Sequence, residues 1–152
     1  MPEVKKFFSP QEQTEILNAV REAEKNTSGE IRVHLERSVE GEVLDRAAYI
    51  FKKLGMHKTE QRNGVLFYLA VNSRKFAVIG DAGINQVVPE GFWNQVIERI
   101  RTRFSENRYS EGLAEGIRMA GEHLRAHFPY LIGDMNELSD EISFGNPSDH
   151  EK

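Results

Sequence analysis

The amino-acid sequence predicts an α/β fold in which a small mixed β-sheet is covered by helices. The run from Val65 to Val71 is apolar at every position, which is typical of a central strand buried on both faces. A strand pattern and a helical pattern precede this run, and two long amphipathic helical patterns follow it. With 152 residues, the chain suits one domain with a substantial core.

The first predicted helix has a well-formed start. Ser9 suits the N-cap, Pro10 suits the first helical position, and Glu12 can complete a capping box. We expect the helix to run to about Asn26, where turn chemistry begins. Its apolar positions share one face: Ile16, Leu17, Val20 and Ala23.

A strand follows the turn after this helix. Apolar and polar residues alternate strictly from residue 31 to residue 36, which predicts a strand with only one buried face. We therefore expect the strand to lie near an edge of the sheet, with His34 at an outward position. The predicted buried positions are Ile31, Val33 and Leu35.

The next segment predicts a βαβ unit followed by a hairpin. Residues 43–54 return to helical spacing, and Gly55 is well placed to end that helix. The strands on either side of the helix should be parallel and joined by a right-handed crossover. The polar turn 72–75 leads into strand 76–80, which should pair antiparallel to the buried strand.

Two further helices complete the predicted domain. Their apolar faces lie beyond Pro89 and end near Phe128. The positions on the first face are Phe92, Trp93, Val96, Ile97, Ile100 and Phe104, and those on the second are Tyr109, Leu113, Ile117, Ala120 and Leu124.

The sequence divides into a folded domain at residues 1–132 and an acidic tail at residues 133–152. The tail holds six acidic residues and one lysine, and it has few apolar residues. Such a composition rarely repays the entropy of ordering, so we expect a flexible tail in which only Leu138, Ile142 and Phe144 pack. A docking or self-masking segment is the alternative interpretation.

Composition narrows the classes of function. The chain has no cysteine, which excludes a disulfide framework, a thiolate zinc site and a nucleophilic thiol, and suits a reducing cytoplasm. No stretch approaches the roughly 18 apolar residues of a spanning helix, so we expect a soluble, cytoplasmic protein without a membrane span. The folded part is close to neutral, which argues against nucleic acid as a partner.

The candidate functional residues lie at the ends of the predicted strands. Glu30 begins the first strand, Asn63 precedes the second, and Asp81 follows the third. The strand directions should bring all three to one edge of the sheet, where Glu60 and Glu90 could add carboxylates. Carboxylate, amide and backbone carbonyl oxygens are the ligands that calcium and magnesium prefer. We therefore predict a Ca²⁺ or Mg²⁺ site formed by Glu30, Glu60, Asn63 and Asp81.

Ordinary turn chemistry is the alternative for the same residues. Asn-Gly and Asp-Ala-Gly are common in turns, and any one such residue is more often structural than a ligand. The location also departs from open α/β sheets, which usually bind ligands beyond the carboxyl ends of parallel strands. His123 and His127, four residues apart on a helix, lack a third ligand in the pattern and are expected to be surface histidines.

Several ordered motifs resemble those of the TPM domain family. They are Thr27-Ser28-Gly29-Glu30-Ile31, residues 54–66 with Asn63-Gly64, Arg74-Lys75, and Gly80-Asp81-Ala82-Gly83-Ile84. The resemblance spans roughly residues 8–128. It implies a three-layer α/β/α sandwich around the mixed sheet, with a divalent-cation site in an acidic depression. For some members it implies a weak acid-phosphatase activity or a role in photosystem repair.

The resemblance also assigns individual residues. Glu30 matches the acidic or polar residue after the family's Thr-x-Gly, Glu60 matches an acidic residue ahead of the Asn-Gly, and Asn63 matches the Asn-Gly itself. Many members carry Gly-x-Gly-x-Glu after the third strand, whereas here Asp81 would have to supply the acidic ligand. Many also carry a signal peptide and a membrane anchor, which we do not expect in this chain.

The function predicted from the sequence is a metal-responsive module that binds a divalent cation and, as a further partner, an unidentified protein. One alternative is a metal-assisted phosphatase acting on phosphomonoesters, with Arg62 or His57 stabilising charge or moving a proton. No nucleophile with a matched base, P-loop or Gly-x-Ser-x-Gly motif is visible. The other alternative is a protein-interaction domain without metal, so the sequence leaves open whether the chain is an enzyme.

Overall fold

A computed structural model describes residues 4–129 and 142–145 of the chain. It confirms the mixed α/β fold. Short 3₁₀ helices lie at Val4–Lys6 and Met56–Lys58. The other elements, in chain order, are α1 (Pro10–Glu24), β1 (Glu30–Glu36), α2 (Val43–Lys53), β2 (Gly64–Ala70), β3 (Lys75–Gly80), α3 (Ala82–Asn85), α4 (Phe92–Ser105), α5 (Tyr109–His127) and β4 (Ser143–Phe144).

The strands form one sheet in the order β3-β2-β1-β4. β1 and β2 are parallel, in a register that places Glu30 opposite Gly64. β3 is antiparallel to β2, with Gly80 opposite Val65. The predicted βαβ unit and hairpin are therefore present, with α2 as the connection between the two parallel strands.

Two hydrophobic cores, one on each face of the sheet, make the three layers of an α/β/α sandwich. β2 contributes to both, because all seven of its residues are buried. The larger core joins one face of the sheet to α1, α4 and α5, and includes Ile16, Val20, Ile31, Val33, Val65, Phe67, Val96, Ile100, Leu113 and Ile117. The smaller core joins the opposite face to α2, and includes Ala47, Ile50, Phe51, Leu66, Tyr68 and Ala70.

The capping box that the sequence predicts at the start of α1 is present. The backbone N–H of Glu12 donates to Ser9 Oγ at 3.1 Å, and the backbone N–H of Ser9 donates to Glu12 Oε1 at 2.8 Å. These bonds satisfy donors that a helix start leaves without intrahelical partners. The helix ends at Glu24, two residues before the predicted end.

The helices α1 and α5 pack closely against each other at one crossing point. A Cβ atom built on Gly121 of α5 would lie 2.6 Å from the Cβ atom of Ala23 in α1. Contacts that short do not occur between real Cβ atoms, so the crossing depends on the absence of a side chain at position 121.

β1 is buried on both faces, which corrects the prediction of a one-sided strand. His34 and Glu36 are 2% and 0% exposed. The polar face of the strand is covered by side chains that bond to it, namely Arg46 of α2, Tyr68 of β2 and Ser143 of β4. β1 also lies inside the sheet because β4 pairs along the side that β2 leaves free.

β4 falls within residues 133–152, where the sequence predicted no strand. Ile142 and Phe144 pack against the larger core. Leu138 lies outside the described residues, and the division into a domain and a flexible tail stays a prediction. Within the part of the chain that the structure describes, no helix has the length and apolar character needed to cross a membrane.

Candidate metal site at one edge of the sheet

The three strand ends singled out in the sequence meet at one edge of the sheet. The backbone N–H of Glu30 donates to Asn63 O at 3.4 Å, and that of Asp81 donates to Gly64 O at 3.0 Å. Glu30, Asn63 and Asp81 are 2%, 1% and 7% exposed. Three buried polar residues therefore lie on adjacent backbone segments, as the strand directions require.

The loop between α2 and β2 holds Asn63 in place. Gly55 begins this loop with φ of 75°, a left-handed conformation that glycine adopts without steric penalty. Thr59 accepts the backbone N–H of Asn63 on its hydroxyl at 3.3 Å and the backbone N–H of Arg62 on its carbonyl at 3.1 Å. Arg62 also has a positive φ, 53°, so the chain turns sharply just before β2.

The side chain of Asn63 is only partly hydrogen-bonded. Its Nδ2 donates to Ser28 Oγ at 3.2 Å. Its Oδ1 is buried and has no hydrogen-bond partner among the described residues. Leaving a buried oxygen without a donor costs about 1–3 kcal/mol, so such an atom is a natural contact for a cation or an ordered water.

Asp81, by contrast, is already engaged. Arg62 Nε donates to Oδ2 at 2.7 Å and Arg62 Nη2 donates to Oδ1 at 2.8 Å, which makes a bidentate ion pair. Hydrogen bonding to Asp81 raises the pKa of Arg62. The backbone N–H of Ala82 also donates to Asp81 Oδ1 at 2.7 Å, so Asp81 caps α3. A cation at Asp81 would therefore compete with the guanidinium of Arg62.

The two predicted glutamate ligands differ in their surroundings. Glu30 lies opposite Gly64 in the parallel register of β1 and β2. A Cβ atom added to Gly64 would lie 3.5 Å from Phe51 Cζ in α2, so this register position faces the α2 layer. Glu60 is exposed in the loop before Asn63.

The remaining acidic candidate, Glu90, is exposed in the loop before α4 and lines an open groove beside Trp93. Within residues 4–129 and 142–145, no three Asp, Glu or His side chains form a group that could hold a metal ion. A cation at the edge would thus depend on Asn63 and on backbone carbonyls as well as on carboxylates.

A second polar group, which the sequence analysis missed, lies at the carboxyl end of β1. Its centre is Glu36, whose Oε1 accepts from Arg46 Nε at 2.9 Å and from the Tyr68 hydroxyl at 2.5 Å. Glu36 Oε2 accepts from Arg46 Nη2 at 2.6 Å and lies 3.2 Å from His34 Nε2. His34 Nδ1 lies 2.8 Å from Ser143 Oγ. We refer to these five residues as the Glu36 cluster.

The Glu36 cluster contains an ionised carboxylate at neutral pH. Burial alone would raise the pKa of Glu36, but hydrogen bonds from His34, Arg46 and Tyr68 outweigh burial and hold that pKa far below its ordinary value. Burial and the bond to the carboxylate raise the pKa of Tyr68. Tyr68 is therefore a neutral donor to a charged acceptor, and the cluster ties α2, β2 and β4 to β1.

Only part of this cluster could have been found from the sequence. His34 and Glu36 are two residues apart on a strand, so they share a face. Tyr68 carries the one polar side-chain group in the apolar strand β2, but only the pairing of β1 with β2 places it opposite His34. Arg46 lies on the following helix and Ser143 in a distant segment, and no local pattern connects either residue to Glu36.

The histidine pair on α5 lies apart from both polar groups. The rings of His123 and His127 stack with their centroids 6.1 Å apart, and His123 also contacts the ring of Phe92. His127 is exposed and His123 is partly buried. Within the part of the chain that the structure describes, the pair belongs to no metal-binding group.

The chain matches a known protein family. The family model described as the TPM domain matches residues 3–123. Among solved structures, the chain is similar to the BA42 protein of the psychrophilic bacterium Bizionia argentinensis, with 43% sequence identity and a TM-score of 0.85. That similarity covers 95% of this chain and all of the other. No curated protein matches the chain.

Two more distant structures share the fold. The N-terminal domain of a protein from P. gingivalis is 20% identical, with a TM-score of 0.69 and 83% of each chain covered. The N-terminal domain of a Corynebacterium glutamicum protein is 12% identical, with a TM-score of 0.62, and the match covers 96% of this chain and 90% of that one. At these identities the similarity extends to the fold alone.

Proposed function

This chain belongs to the TPM domain family, and from that premise we propose that it is a divalent-cation-binding domain. The cation, Ca²⁺ or Mg²⁺, binds at the edge formed by Glu30, Asn63 and Asp81. The observation that supports this proposal is the buried Oδ1 atom of Asn63, which no described group bonds. A hard cation is a suitable partner for an amide oxygen that no donor reaches.

The proposed ligands have different roles. Asn63 supplies its side-chain oxygen, and the buried Glu30 on the neighbouring strand supplies a carboxylate. Asp81 joins the site only when Arg62 releases it, because both Asp81 oxygens accept from that guanidinium. Glu60, exposed in the loop before Asn63, adds negative charge that attracts a cation. The bound cation would contact the buried Asn63 Oδ1 and fix the three strand ends together.

We assign this site a binding role rather than a catalytic one. Arg62, a candidate for stabilising charge on a phosphate, donates from its Nε and Nη2 atoms to Asp81. Phosphomonoester hydrolysis stays an alternative, and its test is whether turnover is lost both with a chelator and with Asp81→Ala.

The decisive experiment is a titration of Ca²⁺, and then Mg²⁺, into chelator-stripped protein while backbone amide NMR shifts are recorded. We expect saturable shifts at Gly29–Glu30, Glu60–Gly64 and Gly80–Gly83. Asn63→Ala should weaken binding by about tenfold or more because it removes a ligand, and Asn63→Asp should tighten it because ligand charge increases cation affinity.

Ser28→Ala is the matched control. It removes the hydrogen bond from Asn63 Nδ2 but leaves Asn63 Oδ1 unchanged, so cation affinity should change little. An affinity that Asn63→Ala and Asn63→Asp leave unchanged would contradict the proposal. The third alternative, an interaction domain without metal, predicts that Asp81→Ala lowers stability and that no variant alters a cation response.

A further inference from the structure

Three members of the Glu36 cluster are a serine, a histidine and an acid joined in series. His34 links the other two, because its Nδ1 lies 2.8 Å from Ser143 Oγ and its Nε2 lies 3.2 Å from Glu36 Oε2. A nucleophile within hydrogen-bond reach of a base, which a third group orients, is the arrangement that activates a serine hydroxyl. Ser143 and His34 are 109 residues apart along the chain, so no sequence motif could reveal this arrangement.

The Glu36 carboxylate decides which nitrogen of neutral His34 carries the proton. An ionised carboxylate accepts hydrogen bonds and donates none, so the contact with Glu36 places the ring proton on Nε2. Nδ1 then carries a lone pair, and the Ser143 hydroxyl must be the donor in the contact between them. The serine proton therefore points at the nitrogen that would accept it during a reaction.

The imidazole ring of His34 is held in a fixed orientation. Only 2% of His34 is exposed, and its ring stacks against that of Tyr68 with the centroids 6.0 Å apart. Glu36, which binds the ring at Nε2, is itself fixed by hydrogen bonds from Arg46 and Tyr68. Holding the tautomer and the orientation of the imidazole is the role that the acid has in a Ser-His-Asp triad.

The place of this group in the sheet also suits a reaction site. It lies at the carboxyl end of β1, which runs parallel to β2 on one side and to β4 on the other. Open α/β sheets usually bind ligands beyond the carboxyl ends of parallel strands. Ser143 is partly exposed there, so a small molecule can reach its Oγ atom while His34 stays buried behind it.

We propose that Ser143 is a nucleophile that attacks small carboxylic esters, with His34 as its general base and Glu36 as a positioning residue. Ser143 Oγ forms a bond to the carbonyl carbon of the ester, and its proton passes to His34 Nδ1. The bond from that carbon to the alcohol oxygen breaks, and the alcohol leaves with the proton from Nδ1. Water then attacks the acyl-serine in the same way, which releases the carboxylic acid and restores Ser143.

The first test treats the full-length chain with p-nitrophenyl acetate and, separately, with a fluorophosphonate. Mass spectrometry of peptides locates each adduct, and we expect both reagents to modify Ser143. Ser73 is the matched control, because it is also partly exposed but its Oγ accepts the backbone N–H of Val39 at 3.0 Å. Ser143 should react at least about tenfold faster than Ser73.

The contribution of the base is measured with His34→Gln. This variant keeps a side-chain N–H that can donate to Glu36 but removes the base beside Ser143. The modification of Ser143 should become slower by about 100-fold or more. A Ser143 that neither reagent modifies, or a rate that His34→Gln leaves unchanged, would overturn the proposal.

A second measurement uses the absence of cysteine from the chain and does not depend on how well His34→Gln folds. Ser143→Cys and Ser73→Cys each introduce a single thiol, and their rates of alkylation by iodoacetamide are compared at pH 6. A thiol beside an imidazole that accepts its proton forms thiolate at lower pH, so the variant at 143 should react at least about tenfold faster. Equal rates in the two variants would equally refute an activated Ser143.

Discussion

Glu36 carries a negative charge although none of its surface is exposed. A buried carboxylate is costly unless opposite charge and hydrogen bonds surround it. Arg46 supplies a charge and two bonds, and Tyr68 supplies a third. These bonds mean that the loss of any one partner leaves another polar group buried without its bond.

Replacing Glu36 by glutamine tests this account. Glu36→Gln keeps the size of the side chain but removes the charge opposite Arg46, so we expect the free energy of unfolding at pH 7 to fall by about 3 kcal/mol. Urea denaturation of the two proteins measures the difference. Tyr68→Phe, which removes one hydroxyl and one bond, is the milder comparison and should cost about 1–2 kcal/mol.

The same substitution should change the pH dependence of stability. The folded-state pKa of Glu36 is depressed below its ordinary value of 4.5, so the unfolded state binds more protons as the pH falls. The contribution of Glu36 is therefore complete above about pH 5 and declines as the solution becomes more acidic. In Glu36→Gln the loss of stability between pH 5 and pH 3 should be smaller. Parallel curves for the two proteins would contradict the assignment of an ionised Glu36.

At the scale of elements, the crossing of α1 and α5 depends on Gly121. Alanine is the better helix former by about 1 kcal/mol, so in an open helix Gly121→Ala would stabilise the protein. Here the added methyl group meets Ala23 at 2.6 Å, and separating the helices should cost more than that gain. We expect a net loss of about 1–3 kcal/mol in thermal or urea unfolding.

A second substitution identifies the contact responsible. Ala23→Gly removes the methyl group that Gly121→Ala would meet at 2.6 Å but leaves the Cα of residue 23, at 2.9 Å, in place, and it costs helix propensity in α1. The double variant should therefore be more stable than the sum of the two single effects implies, with a coupling of about 1 kcal/mol or more. Strictly additive effects would mean that the Ala23 methyl group does not limit the approach of the helices.

The elements that could be predicted from the sequence are those whose signals are local. The capping box of Ser9 and the unbroken apolar run of β2 each concern neighbouring residues, and both predictions agree with the structure. The polar face of β1 was misjudged because its partners lie in other elements, Arg46 on the following helix α2 and Ser143 in the distant strand β4. Alternation shows that a strand has two kinds of face, but it does not show what covers the polar one.

The candidate site could likewise be predicted only in part. Strand order and direction brought Glu30, Asn63 and Asp81 to one edge in the sequence prediction, and their backbones do meet there. The bidentate pair between Arg62 and Asp81 was not predicted, because it depends on the positive φ of Arg62 and on how α3 begins. The loop conformation therefore decides which side chains pair at the edge, and the sequence pattern did not predict that conformation.

At the scale of the whole molecule, β1 carries one polar group at each end. Glu30 begins the strand at the candidate metal site and Glu36 ends it at the cluster that bears its name. Six residue-to-residue steps of extended strand separate them by roughly 20 Å. Groups that far apart without shared partners usually contribute independently to stability.

This separation gives a prediction for the unfolding of the whole domain with and without cation. A cation that binds only the folded state stabilises it by about 2.7 kcal/mol at a concentration one hundred times its Kd, which corresponds to roughly 5–10 °C in Tm for a domain of this size. Calorimetry in chelator and then in excess Ca²⁺ should show that rise in the wild-type protein.

Substitutions at the two ends of β1 should then have different effects on the cation-dependent rise in Tm. Asn63→Ala should lose most of the cation-dependent rise in Tm because it lacks the proposed ligand. Glu36→Gln should begin from a lower Tm and keep the full rise, because its substitution lies at the far end of the strand. A rise that Asn63→Ala retains in full would place the cation elsewhere. A rise that disappears in Glu36→Gln instead would move the cation to the carboxyl end of β1, where open α/β sheets more often bind their ligands.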